Sequence, residues 1–141
     1  MSDDLSRFVE AQRPVMDDVR AELAAGRKRT HWMWFVFPQL RGLGHSAMAR
    51  HYGIASREEA AAYLAHPVLG ARLRQCVELV LAVQGRTAHD IFGSPDDLKL
   101  RSCLTLFREV EGTDSVFGRV LDRYFDGQPD PMTLQLLASA R

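Results

Sequence analysis

Cysteine is scarce in this chain: only Cys76 and Cys103 are present, with no CxxC pair and no histidine at ligand spacing. That argues against a disulfide framework and a zinc site, and fits a reducing, cytoplasmic setting. Charge of one sign is missing too, because 18 Lys and Arg balance 18 Asp and Glu. No whole-molecule field then draws the chain to nucleic acid or an anionic membrane, so any such attraction has to be local. The longest near-apolar run, Trp32 to Phe37, is far too short to cross a bilayer. The acidic start Met1-Ser2-Asp3-Asp4 lacks the apolar stretch of a signal peptide, and a soluble protein is expected. Histidines at 31, 45, 51, 66 and 89 form no i, i+4 pair and no HExxH, so no metal centre is expected and no cofactor is implied. Alternating segments around a hairpin turn are also lacking, which leaves a sheet without support.

What is there is a succession of helix starts and stops. Leu5, Phe8, Val9 and Ala11, after the acidic Asp3-Asp4, read as a first helix, and Pro14 either ends it or opens the next. Val15, Met16, Val19 and Leu23 make a second stripe, stopped at Gly26. Ser56-Arg57-Glu58-Glu59 matches a capping box in which Glu59 reaches back to the Ser56 N–H, and the helix should run to about Ala65 before His66-Pro67 breaks it. Leu69, Leu73, Cys76, Val77, Val80, Leu81 and Val83 form the widest stripe, the candidate central helix, closed by Gly85. Thr87 and Ser94 are expected N-caps, the second followed by Pro95 at the first helical position, with Leu98 to Phe107 as helix. Val116 to Phe125 follows, and Asp130-Pro131 caps a last helix through Ala138. The expectation is a single all-α domain over residues 1–141, a compact orthogonal array of helices.

The stretch GRKRTHWMWFVFPQLRGLG, Gly26 to Gly44, gathers cations, a histidine and four large aromatic rings. Trp32, Phe35 and Val36 at i, i+3, i+4 predict a short helix capped by Thr30 and broken before Pro38. A strand is the alternative, but a lone strand leaves its ladder unpaired. Trp32, Phe35 and Phe37 are expected in the core, where truncating a fully buried ring to Ala costs roughly 3–5 kcal/mol. Trp34 falls off that face. There an indole can stack a flat ligand while Arg27, Lys28, Arg29 or His31 holds an anionic group, and Gln39 offers an amide to the same space. The structural alternative for Arg27 to Arg29 is three solvated cations that complement a helix end.

Gly42-Leu43-Gly44-His45-Ser46-Ala47 fits GxGxxA in form, but no βαβ unit surrounds it, so it reads as a turn feeding a short helix near Ser46. Such a loop can present backbone N–H groups to a phosphate. His66 is either a hydrogen-bonded corner residue or a general base. In the segment Asp96 to Phe107, Leu100, Cys103, Leu104 and Phe107 share one helix side, and Asp97 and Arg101 are placed to pair at i, i+4. Lys99 and Ser102 at i, i+3 allow a base and nucleophile; the alternative is that the Ser102 and Thr105 hydroxyls bond carbonyls one turn back.

Three blocks, GRKRTHWMWFVFPQLRGLGHSAMARHYGI, EEAAAYLAHPVLGARL and FGSPDDLKLRSCLTLF, resemble the small bacterial proteins of domain-of-unknown-function family 1810, nearly end to end. The resemblance implies a compact all-helical single domain and carries no catalytic residues over. FVEAQ, Phe8 to Gln12, is also similar to the FQAQ helix of the NADAR-type ADP-ribosyl glycosidases, which implies an ADP-ribosyl N-glycosidase-like activity as one alternative.

The leading expectation is a cytoplasmic small-molecule-binding protein or enzyme with a site for a phosphate-bearing or nucleotide-like ligand, between His31 to Gln39 and the Lys99 to Thr105 helix. Trp34 stacks the ligand, Arg27 or Lys99 neutralises it, Gln39 faces it, and His31, His66 or Ser102 serves any chemistry. The competing expectation is a non-catalytic protein-interaction module that docks through a partly exposed aromatic run. Nucleic acid ranks behind both, and a membrane is not expected as a partner.

Overall fold

Local cap chemistry divides the chain into helices where the residue pattern places them. The structure is a computed structural model that describes residues 5–139, and among these it has ten helices and no strand. Helices α1 (Ser6–Gln12) and α2 (Met16–Ala24) flank the Pro14 turn, and Gly26, at φ +73°, ends the second. Single-turn helices α3 (Met33–Val36) and α4 (Ala47–His51) follow. Next come α5 (Arg57–Ala65), α6 (Leu69–Ala82), α7 (Ala88–Phe92), α8 (Asp96–Glu111), α9 (Val116–Phe125) and α10 (Pro131–Ser139).

Several local expectations need correction. Thr30 does not cap α3; Trp32 occupies that position, and the Thr30 hydroxyl donates to Glu22 Oε2 at 2.7 Å. Glu59 closes its turn on the Ala55 N–H at 2.7 Å rather than on Ser56. Ser94 does not cap α8, which starts behind Pro95 and runs from Asp96 to Glu111, beyond the expected Leu98 to Phe107 at both ends. Acidic Asp96 and Asp97 favour its N-terminus, and the half-buried Val110 prolongs its apolar stripe. Asp97 and Arg101 do not pair with each other. Asp97 Oδ2 lies 3.4 Å from His89 Nδ1, and Arg101 donates to the carbonyls of Gln128 and Pro129 at 2.9 and 2.8 Å.

Helices α6 and α8 organise the core. α6 packs against α2, α5 and α9, and α8 against α5, α7, α9 and α10. Leu69, Leu73, Cys76, Val77 and Val80 of α6 are buried, as are Leu100, Cys103, Leu104 and Phe107 of α8, each set at helical spacing. Ring contacts run through this core from Phe8 to Tyr63 (5.1 Å between centroids), Phe107 (5.5 Å) and Phe117 (5.7 Å). Trp32, Phe35 and Phe37 are buried as well.

Between α3 and α5 the chain makes one sheet-like contact, a parallel bridge of Leu40 with Ile54. Arg41 N donates to Ile54 O (2.7 Å) and Ile54 N to Gln39 O (2.9 Å), so the backbone of Gln39 is tied down. Gly53 permits this approach, because a Cβ there would stand 2.9 Å from both Arg41 Cα and the Ala49 carbonyl oxygen. No helix among the described residues is long and apolar enough to cross a membrane.

Candidate functional site

Gln12 anchors the floor beneath the aromatic segment. Buried at the end of α1, it donates through Nε2 to the Phe35 carbonyl (2.7 Å) and the Tyr63 hydroxyl (2.9 Å), and its Oε1 accepts from Arg72 (3.2 Å). Glu22 anchors the other side. Its Oε1 accepts from the N–H groups of Arg29 (2.8 Å) and Thr30 (3.1 Å) and from Trp32 Nε1 (3.0 Å). Burial alone would raise the Glu22 pKa, but these hydrogen bonds outweigh it and hold the carboxyl below its usual 4.5. With Met33, Phe35 and Val36 buried, the side chain between them, Trp34, stays half-buried.

The Trp34 ring meets Lys99 from α8, whose Nζ lies 5.4 Å from the ring centroid. Asp96, one turn earlier, takes Lys28 Nζ at 2.9 Å on one carboxylate oxygen and Lys99 Nζ at 3.9 Å on the other. Lys28 Nζ in turn sits 5.0 Å from the Trp32 ring. One carboxylate thus aligns two ammonium groups, each over an indole. Lys28 is therefore a packed structural cation, with its side chain only 7% exposed, whereas Arg27 and Arg29 are exposed.

Lys99 and Gln39 stand on the boundary of two hollows. The narrower is a slit of about 10 Å³, walled by Trp34, Met33, Phe37 and Tyr52. The broader is an open trough of about 220 Å³, walled by Leu43, Leu98, Met132, Ser102 and Asp130. Leu98 and Met132 are 55% and 52% exposed, unusually open for apolar side chains on one concave surface. The Gln39 amide makes no hydrogen bond to any described residue, although its backbone carbonyl is held by Ile54. Gly44 lets the glycine loop close against α4, since a Cβ there would stand 2.7 Å from the Ala49 Cβ.

Asp130 completes the trough. Its Oδ2 accepts from Ser102 Oγ (3.1 Å), Thr133 N (3.1 Å) and Thr133 Oγ1 (2.6 Å), which caps α10 and ties it to α8. Its backbone N–H donates to Thr105 Oγ1 at 2.9 Å. Asp130 Oδ1 has no donor among the described residues.

The structure thus brings together Trp34, Gln39, Lys99 and Ser102 of the residues singled out from sequence. It does not bring Arg27, His31 or His66 to either hollow. Arg27 and His31 are exposed on the chain leading into α3, and His66 caps α6, its Nδ1 accepting from Val68 N (3.1 Å) and Leu69 N (3.2 Å). Ser102 and Lys99 share no hydrogen bond. The serine hydroxyl lies 3.2 Å from the Leu98 carbonyl and 3.1 Å from Asp130, and the Thr105 hydroxyl donates to the Arg101 carbonyl at 2.8 Å. Phe8 and Gln12 of the FVEAQ segment are core residues and line neither hollow. Sequence reasoning treated Asp96 and Asp130 only as helix-start residues; that cap position was the signal for both, but their second roles depend on α3, α8 and α10 meeting.

A family model described as "Protein of unknown function (DUF1810)" matches residues 2–137. The chain belongs to that family. No curated protein matches it. Among solved structures it is similar to the conserved hypothetical protein Rv1873 from Mycobacterium tuberculosis, with 57% sequence identity and a TM-score of 0.95 over 96% of this chain and 97% of the other. The fold is therefore shared with a crystal structure nearly end to end.

Proposed function

We propose that this chain is a cytoplasmic small-molecule-binding protein, or an enzyme built on such a site, whose ligand carries a flat ring and an anionic group. The observation that carries the reading is the placement of Lys99 over the half-buried Trp34 at the boundary of two hollows. A cation beside an aromatic plane accommodates a phosphate and a base or nicotinamide-like ring together. Gln39 supplies an amide whose donors and acceptor are open to a ligand. The buried state of Trp32, Phe35 and Phe37 counts against docking through the aromatic run, because those rings offer a protein partner no surface.

Thermal-shift screening against nucleotides, sugar phosphates and NAD derivatives tests the reading, followed by Lys99→Met and Trp34→Ala. The expected result is stabilisation by at least one phosphate-bearing compound, lost in both variants. Uniformly flat responses, or responses unchanged in the variants, would overturn it.

A further inference from the structure

A second set of groups in the trough narrows the ligand class. We propose that the ligand is a nucleoside monophosphate, with Lys99 holding the phosphate and Asp130 with Gln39 holding neighbouring hydroxyls of the sugar; this rests on the small-molecule reading above.

The two oxygens of the Asp130 carboxylate divide their labour. Three donors, from Ser102 and Thr133, fill Oδ2 and fix the plane of the group. They leave Oδ1 as the oxygen without a donor on a residue that lines the trough. A carboxylate oxygen accepts only, so the ligand portion beside it has to donate. A second anionic group in that place would be repelled. The Gln39 amide, also without a partner, both donates and accepts, which suits a hydroxyl.

Charge count points the same way. Lys99 is the one cation among the described residues that line the trough. Arg101, two positions further along α8, already gives its guanidinium to the carbonyls of Gln128 and Pro129. One ammonium matches one phosphate and is too little for a polyanion. Leu98 and Met132 add an apolar wall for the C–H face of a sugar. A purely apolar peptide fits worse, because it would cover Asp130 Oδ1 and the Gln39 amide without replacing their hydrogen bonds to water.

The experiment is calorimetric titration of the full chain with AMP and with 2′,3′-dideoxy-AMP, which share ring and phosphate and differ in the hydroxyl pair. Asp130→Asn is the informative variant, because Asn also caps a helix and preserves α10. The expected result is AMP binding about tenfold tighter than the dideoxy compound, the size of a lost hydrogen bond to a charged acceptor. In Asp130→Asn that preference should fall severalfold, Gln39 retaining the remainder, while dideoxy-AMP binds no more weakly than before. Equal binding of both compounds to the native chain would overturn the hydroxyl assignment and leave the broader reading standing. An unchanged preference in Asp130→Asn would overturn Asp130 as the hydroxyl acceptor. Binding of neither compound at millimolar concentration would overturn this assignment, and the broader reading falls only with uniformly flat thermal-shift responses.

Discussion

Lys99 Nζ stands 5.4 Å from the centre of the Trp34 ring, while Lys28 Nζ stands 5.0 Å from the Trp32 ring, and Asp96 lies between the two ammonium groups. The two pairs look alike in sequence but differ in burial. Trp32 is 1% exposed and hydrogen-bonded to Glu22, so its pair is structural; Trp34 is half-buried beside a slit, so part of its ring meets solvent.

That difference is measurable by fluorescence. Acrylamide should quench the Trp34 emission and leave Trp32 largely unaffected. Trp34→Phe should therefore remove most of the quenchable signal and shift the remaining emission to the blue. Equal quenching of both indoles would contradict the burial described here.

Glu22→Gln should lower stability by about 1–2 kcal/mol at neutral pH, because the amide cannot serve all the donors that converge on the carboxylate. The folded pKa of Glu22 is lowered from 4.5, so its contribution is fully present above that value and is lost as pH falls through the folded value. Urea denaturation should show the gap between native chain and variant narrowing on acidification. A gap that widens would refute the assignment.

Gly70→Ala should be strongly destabilising, by roughly 1–3 kcal/mol or more, although alanine is the better helix former. A Cβ at Gly70 would overlap the Leu64 carbonyl oxygen, where α5 hands over to α6 around His66. Thermal melts of the variant check this, and an unchanged midpoint would mean that the two helices separate more easily than their packing implies.

Cys76 and Cys103 should be inert to thiol reagents in the native protein at mildly alkaline pH and react fully once the chain is denatured. Burial pushes the Cys76 thiol up to about 12 and the Cys103 thiol well above its usual value, so almost no thiolate forms. Rapid labelling of native protein by Ellman's reagent would show that the core around α6 and α8 opens.

Helix identity was largely legible from residue order because its signals are local. The Ser56 and Thr87 caps, the stop at Gly26 and the stripe from Leu69 to Val80 all act within a few residues, so each can be read without knowing the fold. The failures were competitions that local rules do not contain. Thr30 was free to cap α3 until Glu22, eight residues back, took its hydroxyl, and Arg101 was free to pair with Asp97 until the carbonyls of Gln128 and Pro129 came within reach.

By itself the sequence determined an all-helical chain with a buried aromatic segment, and it singled out Trp34, Gln39, Lys99 and Ser102 together with Arg27, His31 and His66. Only the tertiary structure decided that Gln39 and Lys99 border both hollows, with Trp34 on one and Ser102 on the other, that Lys28 is a packed cation while Lys99 faces a recess, and that Asp130 joins the trough from 31 positions beyond Lys99. The reason is physical: caps and stripes are set by neighbours along the backbone, whereas a site is set by which side chains remain without a partner after every helix has packed.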